Sequence, residues 1–287
     1  MAAVASAGLL VGGARGPALL KRVASAVVLL PVLVLIVVKA PEWAFDAVVV
    51  LASAAALWEL TRMLEQAGRP VYRRLGVAAG VAVTAAFAAS QMVDPLMVPV
   101  AAVTVAAGLI LAASLWQPGP PSLEPVANTL LAVIYVGWLL GHGILLHHAS
   151  PRGDELVLFV LGVTWVGETA AYIVGSTLGR HPLAPTISPR KTLEGAAAQV
   201  VASLGTAAVL GAWLLPGCGG AVAILAGGVL GVVGQAGDLA ESVLKRSVGT
   251  KDTGGLIPGH GGVLDRIDSL LFNLPAFYYL GMLAGCR

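Results

Sequence analysis

Charge is scarce in this sequence: Asp, Glu, Lys and Arg make up 11% of its 287 residues, against about 25% in an ordinary soluble domain. A chain so poor in charge cannot clothe a surface facing water. With 57% hydrophobic residues and a mean hydropathy of +0.88, it requires lipid as its solvent. Cysteine is nearly absent. Cys218 and Cys286 lie in or beside apolar segments, where a thiol is packing material, so neither a disulfide nor a metal site is expected of them. A strong net charge is missing too, and the formal value of +2 gives no reason to expect a nucleic-acid partner. Nor is there a polar stretch long enough for a separate soluble domain. The expectation is one membrane-embedded catalytic domain over residues 17–287, with its chemistry concentrated in 162–270, behind a disordered extension at residues 1–16. Arg15, Lys21 and Arg22 precede an apolar run as in a secretion signal, but no small-residue cleavage site follows.

What the chain does have is long apolar runs. A membrane-spanning helix needs roughly 20 apolar residues, somewhat fewer where flanking side chains snorkel. Nine runs qualify: Val23 to Val38, Ala44 to Leu60, Leu75 to Met92, Leu96 to Leu115, Val126 to Leu146, Leu156 to Leu178, Gly195 to Leu215, Ala221 to Gly237 and Ile267 to Gly285. The fold expected is therefore all-α and polytopic, with about nine transmembrane helices. Positive residues are retained on the cytoplasmic side of short loops. With the N-terminus placed in the cytoplasm, that side carries Arg15, Lys21 and Arg22, then Arg62, Arg69, Arg73 and Arg74, then Arg180, Arg190 and Lys191, then Lys245, Arg246, Lys251 and Arg266. Only Lys39, Arg152 and Arg287 of the 17 fall on the other side. The 36 glycines allow close helix approach where no hydrophobic effect drives association.

The first half keeps its charges mostly in loops, whereas the second half gathers them in three places. The richest reads QAGDLAESVLKRSVGTKDTGGLIPGHGGVLDRID, from Gln235 to Asp268. Asp238, Glu241, Ser242 and Lys245 stand at i, i+3, i+4 and i+7, so on a helix they share one face. Lys251 and Asp252 follow, then a Gly and Pro rich loop with His260, Gly261 and Gly262, then Asp265, Arg266 and Asp268. Charge at this depth is costly in lipid and points into a protein interior or a wet cavity. Carboxylates beside Lys, Arg and glycine-rich backbone suit a divalent ion with phosphates: Mg²⁺ takes hard oxygen ligands, and cations offset charge on a leaving phosphate. The plainer alternative is a set of salt bridges at a membrane edge.

The second place is Glu168, in GETAAY within an apolar run. An intramembrane carboxylate marks a functional site unless it serves only to pair two helices. The third, RHPLAPTISPRKTLEG from Arg180 to Gly195, sets Ser188, Arg190, Lys191 and Thr192 just ahead of a helix start. That arrangement suits a phosphate-bearing ligand, with anchoring of lipid headgroups as the alternative. His142, His147 and His148 cluster near an outer edge, but no carboxylate or cysteine stands at metal-ligand spacing beside them. His181 and His260 lie in the charged loops and are better placed to meet a phosphate.

These residues carry a resemblance. The segment SVLKRSVGTKDTGGLIPGHGGVLDRID closely resembles the C-terminal signature of the phosphatidate cytidylyltransferases, also called CDP-diacylglycerol synthases, and meets every fixed position of it. GQAGDLAES and ISPRKTLEG resemble the family's upstream motifs and stand in the same order. The chain departs from the pattern at Glu168, where the family has Asp, the extra methylene moving the carboxylate by about 1.5 Å. Arg190 stands where Lys is common.

The resemblance implies transfer of CMP from CTP to phosphatidic acid, giving CDP-diacylglycerol and pyrophosphate in phospholipid biosynthesis, with Mg²⁺ and room for a second metal ion. It implies metal binding by Asp238, Asp265, Asp268 and, less directly, Glu168. Lys245, Arg246, Lys251 and Arg266 would meet triphosphate and phosphatidate charge, with Asp252 beside them. Ser188, Arg190, Lys191, Thr192, Ser242, His260, Gly261 and Gly262 would contact substrate. The expected partners are CTP, phosphatidic acid and membrane lipids, with no nucleic acid and a homodimer left open. The expected location is the inner membrane, with the site facing the cytoplasm. A CTP-dependent lipid-alcohol kinase would need similar groups. A secondary transporter, the remaining alternative, would spread its charge over both halves.

Overall fold

A backbone that cannot reach water must satisfy its own N–H and C=O groups, and in lipid this leaves helices or closed barrels. Here the apolar runs become helices. The structure, a computed structural model, describes residues 31–90, 94–117, 120–149, 151–254 and 261–284. The sequence of elements is α1 (31–39), α2 (Glu42–Gln66), α3 (Arg73–Ala89), α4 (Met97–Ala113), α5 (Glu124–Ala132), a π turn (Val133–Trp138), α6 (Leu139–His147) and α7 (Gly153–Leu178). A hairpin of β1 (Pro182–Ala184) and β2 (Ser188–Thr192) follows, then α8 (Leu193–Leu214), α9 (Gly220–Ser247) and α10 (Leu264–Ala284).

The protein is an all-α, polytopic integral membrane protein. Among the described residues seven helices are long and apolar enough to cross a bilayer, counting α5, the π turn and α6 as one and extending α4 through Trp116. Of the nine expected spans, two fall short of that standard. The 17 residues of α3 reach only about 26 Å at 1.5 Å per residue, and the first run is described only over 31–39.

α7 packs on α8, α8 on α9 and α9 on α10, while α2, α3 and α4 form a second layer. α6 joins the two groups, touching α2, α3, α7 and α10. Small residues make the close crossings possible: a Cβ on Gly227 would run into Ala207 and the carbonyl of Ser203. Buried hydroxyl and amide contacts replace the missing hydrophobic drive. Ser53 Oγ lies 2.7 Å from Thr84 Oγ1 between α2 and α3, and Asn273 Nδ2 of α10 donates to Thr164 Oγ1 of α7 at 2.8 Å.

Two expectations are corrected. Cys218 is disulfide-bonded and is not a packing thiol. It lies in a short turn, Pro216–Cys218, between the ends of two apolar helices. The chain's other cysteine, Cys286, lies outside the described residues. His148 does have carboxylate neighbours: its Nε2 is 2.8 Å from Asp46 Oδ1 and its Nδ1 3.8 Å from Glu42 Oε2. Both come from α2, about a hundred residues away in the chain, where local spacing gives no hint of them.

Candidate active site

α9 crosses from an apolar start into a polar end without breaking, and this continuity builds the site. Asp238, Glu241, Ser242 and Lys245 do share a face, and all four line one polar cavity of about 370 Å³. Ser188, Arg246, Lys251, Asp252, Asp265, Arg266, Asp268 and Glu168 complete its lining. One oxygen from each of Asp238, Glu241 and Asp268 falls within 4.8 Å of the others. Glu241 is 1% exposed, and its Oε1 has no hydrogen-bond partner among the described residues. Three hard carboxylate oxygens so close together, with an unsatisfied buried oxygen on Glu241, fit a divalent cation.

Asp265 is held differently. Its Oδ1 accepts from Lys245 Nζ at 2.9 Å, and its Oδ2 accepts from Gly262 N at 2.8 Å and Thr253 Oγ1 at 3.0 Å. Lys245 also donates to Glu241. One ammonium therefore ties α9 to the start of α10. Arg246 donates from Nε to the carbonyl of Ile187 and from Nη1 to that of Thr250, both at 3.2 Å, which fastens the hairpin to the segment leaving α9.

A second, mostly apolar cavity of about 550 Å³ adjoins the first and shares Glu168 and Asp238 with it. Ser176, Arg190, Lys191, Thr192, Gln199 and Gln235 bring polar groups to a wall otherwise built from Ala171, Tyr172, Gly175, Leu183, Gly195 and Ala196. Lys191 Nζ sits 2.6 Å from Asp238 Oδ2. Thr192 is the N-cap of α8, its Oγ1 accepting from Gly195 N at 3.1 Å, which satisfies an amide that the helix cannot. The hairpin is closed from below by Glu194, which accepts from the amides of Arg180 and His181 and pairs with His181 Nδ1 at 2.6 Å.

Gly261 has φ +83°, a left-handed conformation that favours glycine, and sits directly against Asp265 Oδ2. A Cβ on Gly262 would meet Thr253 and Glu59, so this glycine faces protein. His260 lies outside the described residues.

Three buried polar groups escaped the sequence reading in whole or in part. Glu241 was visible on the polar face of α9 but not as a member of the carboxylate trio. Tyr135 comes from the π turn, and its buried hydroxyl has no hydrogen-bond partner among the described residues. Glu59, in the second half of α2 and 3% exposed, accepts the backbone N–H of Leu264 at 3.0 Å. It corrects the expectation that intramembrane charge is confined to the second half. A carboxylate inside the apolar run Ala44 to Leu60 was the available signal.

Residues 20–284 match the model of the cytidylyltransferase family. The chain is 38% identical over 159 residues to a phosphatidate cytidylyltransferase of Bacillus subtilis, covering 55% of this chain and 59% of that one. It is 37% identical over 196 residues to a phosphatidate cytidylyltransferase of Synechocystis, with 59% and 66% covered. It is 41% identical over 152 residues to YnbB, an uncharacterized protein of Escherichia coli, with 53% and 49% covered. The matched region thus spans about half to two thirds of these relatives' length.

Proposed function

This chain belongs to the cytidylyltransferase family, and on that premise we propose that it transfers CMP from CTP to phosphatidic acid, releasing pyrophosphate. The observation that carries the reading is the pair of adjoining cavities, one polar and rich in cations, one mostly apolar, meeting at Asp238 and Glu168 beside the carboxylate trio. A reaction between a water-soluble triphosphate and a lipid anion needs such a junction.

CTP occupies the polar cavity, its phosphates facing Lys245, Arg246, Lys251 and Arg266. Phosphatidic acid enters the apolar cavity. Its lining residue Tyr172 is 77% exposed, so that chamber opens on the face the helices turn to lipid. Arg190 and Lys191 draw the lipid phosphate towards Asp238. A phosphate monoester is already a nucleophile; one of its oxygens attacks the α-phosphorus of CTP and the bond to pyrophosphate breaks. No Ser or Cys attacker is needed, and what the protein supplies is orientation and relief of anion repulsion. Asp238, Glu241 and Asp268 would hold Mg²⁺, which would supply positive charge to offset that of the phosphates. Asp265, its oxygens taken by Lys245, Thr253 and Gly262, keeps the cation of Lys245 aimed at the same place.

The site faces the cytoplasm of the inner membrane, where CTP is found. Besides the positive residues, Cys218 supports this orientation. Disulfides persist in oxidising compartments, and Cys218 lies at the end of α8 and α9 opposite Lys191 and Lys245.

The test is to incubate the purified protein with CTP, phosphatidic acid and Mg²⁺ and to identify the products. CDP-diacylglycerol with pyrophosphate is the expected result. Release of CDP with a phosphorylated lipid would replace this reading with a lipid kinase, and no turnover of either kind would end it.

A further inference from the structure

The strongest unassigned feature is Glu59, a carboxylate buried in α2 far from the signature segments in sequence. Its Oε2 accepts the Leu264 N–H at 3.0 Å, which is one of the first amides of α10 and has no partner within its own helix. An acceptor at a helix N-terminus fixes where the helix begins, and a carboxylate also suits the positive end of the dipole. Here the acceptor comes from another helix. The chain makes room for it with two glycines: a Cβ on Gly254 would lie 2.7 Å from Glu59 Oε1, and one on Gly262 would strike the same carboxylate. Two points of the segment between α9 and α10, Gly254 and Gly262, therefore close on Glu59. The next residue is Asp265, bound to Lys245, and one turn on is Asp268 of the carboxylate trio.

We propose that Glu59 is a positioning residue for CMP transfer, an N-cap supplied by α2 that sets the start of α10 and thereby the place of Asp265 and Asp268. This rests on the proposed cytidylyl transfer. It makes the first half of the chain part of the site, and it gives Gly254 and Gly262 the task of admitting a carboxylate. The role requires reach and an acceptor oxygen. It does not require a full charge, since a single acceptor oxygen, Oε2, makes the bond to Leu264 N.

Two variants separate reach from charge. Glu59→Gln keeps the length and one acceptor oxygen but loses the charge; Glu59→Asp keeps the charge but is one methylene too short. Hydrogen exchange of the amides from Gly262 to Asp268 is read in the full-length protein, alongside steady-state kinetics with CTP and phosphatidic acid. Glu59→Asp is expected to speed exchange of those amides and to lower kcat about 10–100-fold, as loss of a supporting partner does elsewhere, with a smaller change in KM for CTP. Glu59→Gln is expected to stay close to the parent in exchange and to recover most of the turnover. The reverse order, or two variants matching the parent in both readouts, would overturn the proposal. If the parent itself makes no CDP-diacylglycerol, the proposed reaction fails while the exchange data still decide the role of Glu59.

Discussion

The ammonium of Lys191 lies 2.6 Å from Asp238 Oδ2, and Asp238 belongs to both cavities. The hairpin and α9 therefore meet across an ion pair at the boundary between the two cavities, where the proposed substrates would meet. Lys191 lines only the apolar chamber of the two. Replacing it with Gln should raise KM for phosphatidic acid about tenfold or more, the worth of one charge-assisted contact, and change KM for CTP much less. Mixed-micelle kinetics with each substrate varied in turn checks this.

Lys245 serves two buried carboxylates, Glu241 at 1% and Asp265 at 7% side-chain exposure. Lys245→Met strands both, and breaking a buried pair from one side costs about 3–5 kcal/mol. The contrast is Arg69 with Glu124, whose side chains are 53% and 44% exposed. Arg69→Ala should cost about 0–1 kcal/mol. Apparent Tm values of the two variants in one detergent should differ accordingly, and only Lys245→Met should abolish turnover.

Asp268 contributes one oxygen to the trio with Asp238 and Glu241. Asp268→Asn should weaken divalent-ion binding by more than the about 10–100-fold typical of an outer supporting residue. Paramagnetic resonance of Mn²⁺ as a stand-in measures this without turnover. Glu124→Gln, at the exposed pair, should bind as the parent does.

Sidedness can be read chemically. In a Cys218→Ser, Cys286→Ser background, Thr186→Cys at the exposed tip of the hairpin should react with a membrane-impermeant maleimide only after cells are opened. Asp154→Cys, at the start of α7, should react in intact cells. The opposite pattern would turn the site outward.

Much of the site was legible because its residues are close in sequence and helical spacing is strict. The polar face of α9 from Asp238 to Lys245 needed only the i, i+3, i+4, i+7 rule. The cations of the hairpin stood together before a helix start, and Glu168 stood out against its apolar surroundings. Which carboxylates converge was not legible. Asp265 and Asp268 lie on one helix face, yet Asp265 turns to Lys245 and Thr253 while Asp268 joins Asp238 and Glu241. Their division depends on how α10 leans on α9, which no local pattern encodes.

The sequence by itself determined that this is an α-helical membrane protein, because so apolar a chain has few other ways to satisfy its backbone, and it determined which short stretches could bear charge at depth. Only the tertiary structure decided that Glu59 caps a helix 205 residues further along and that two cavities share one wall. It also decided that Glu241 completes the carboxylate trio. Those relations arise from packing between helices, where distance along the chain carries no information about distance in space.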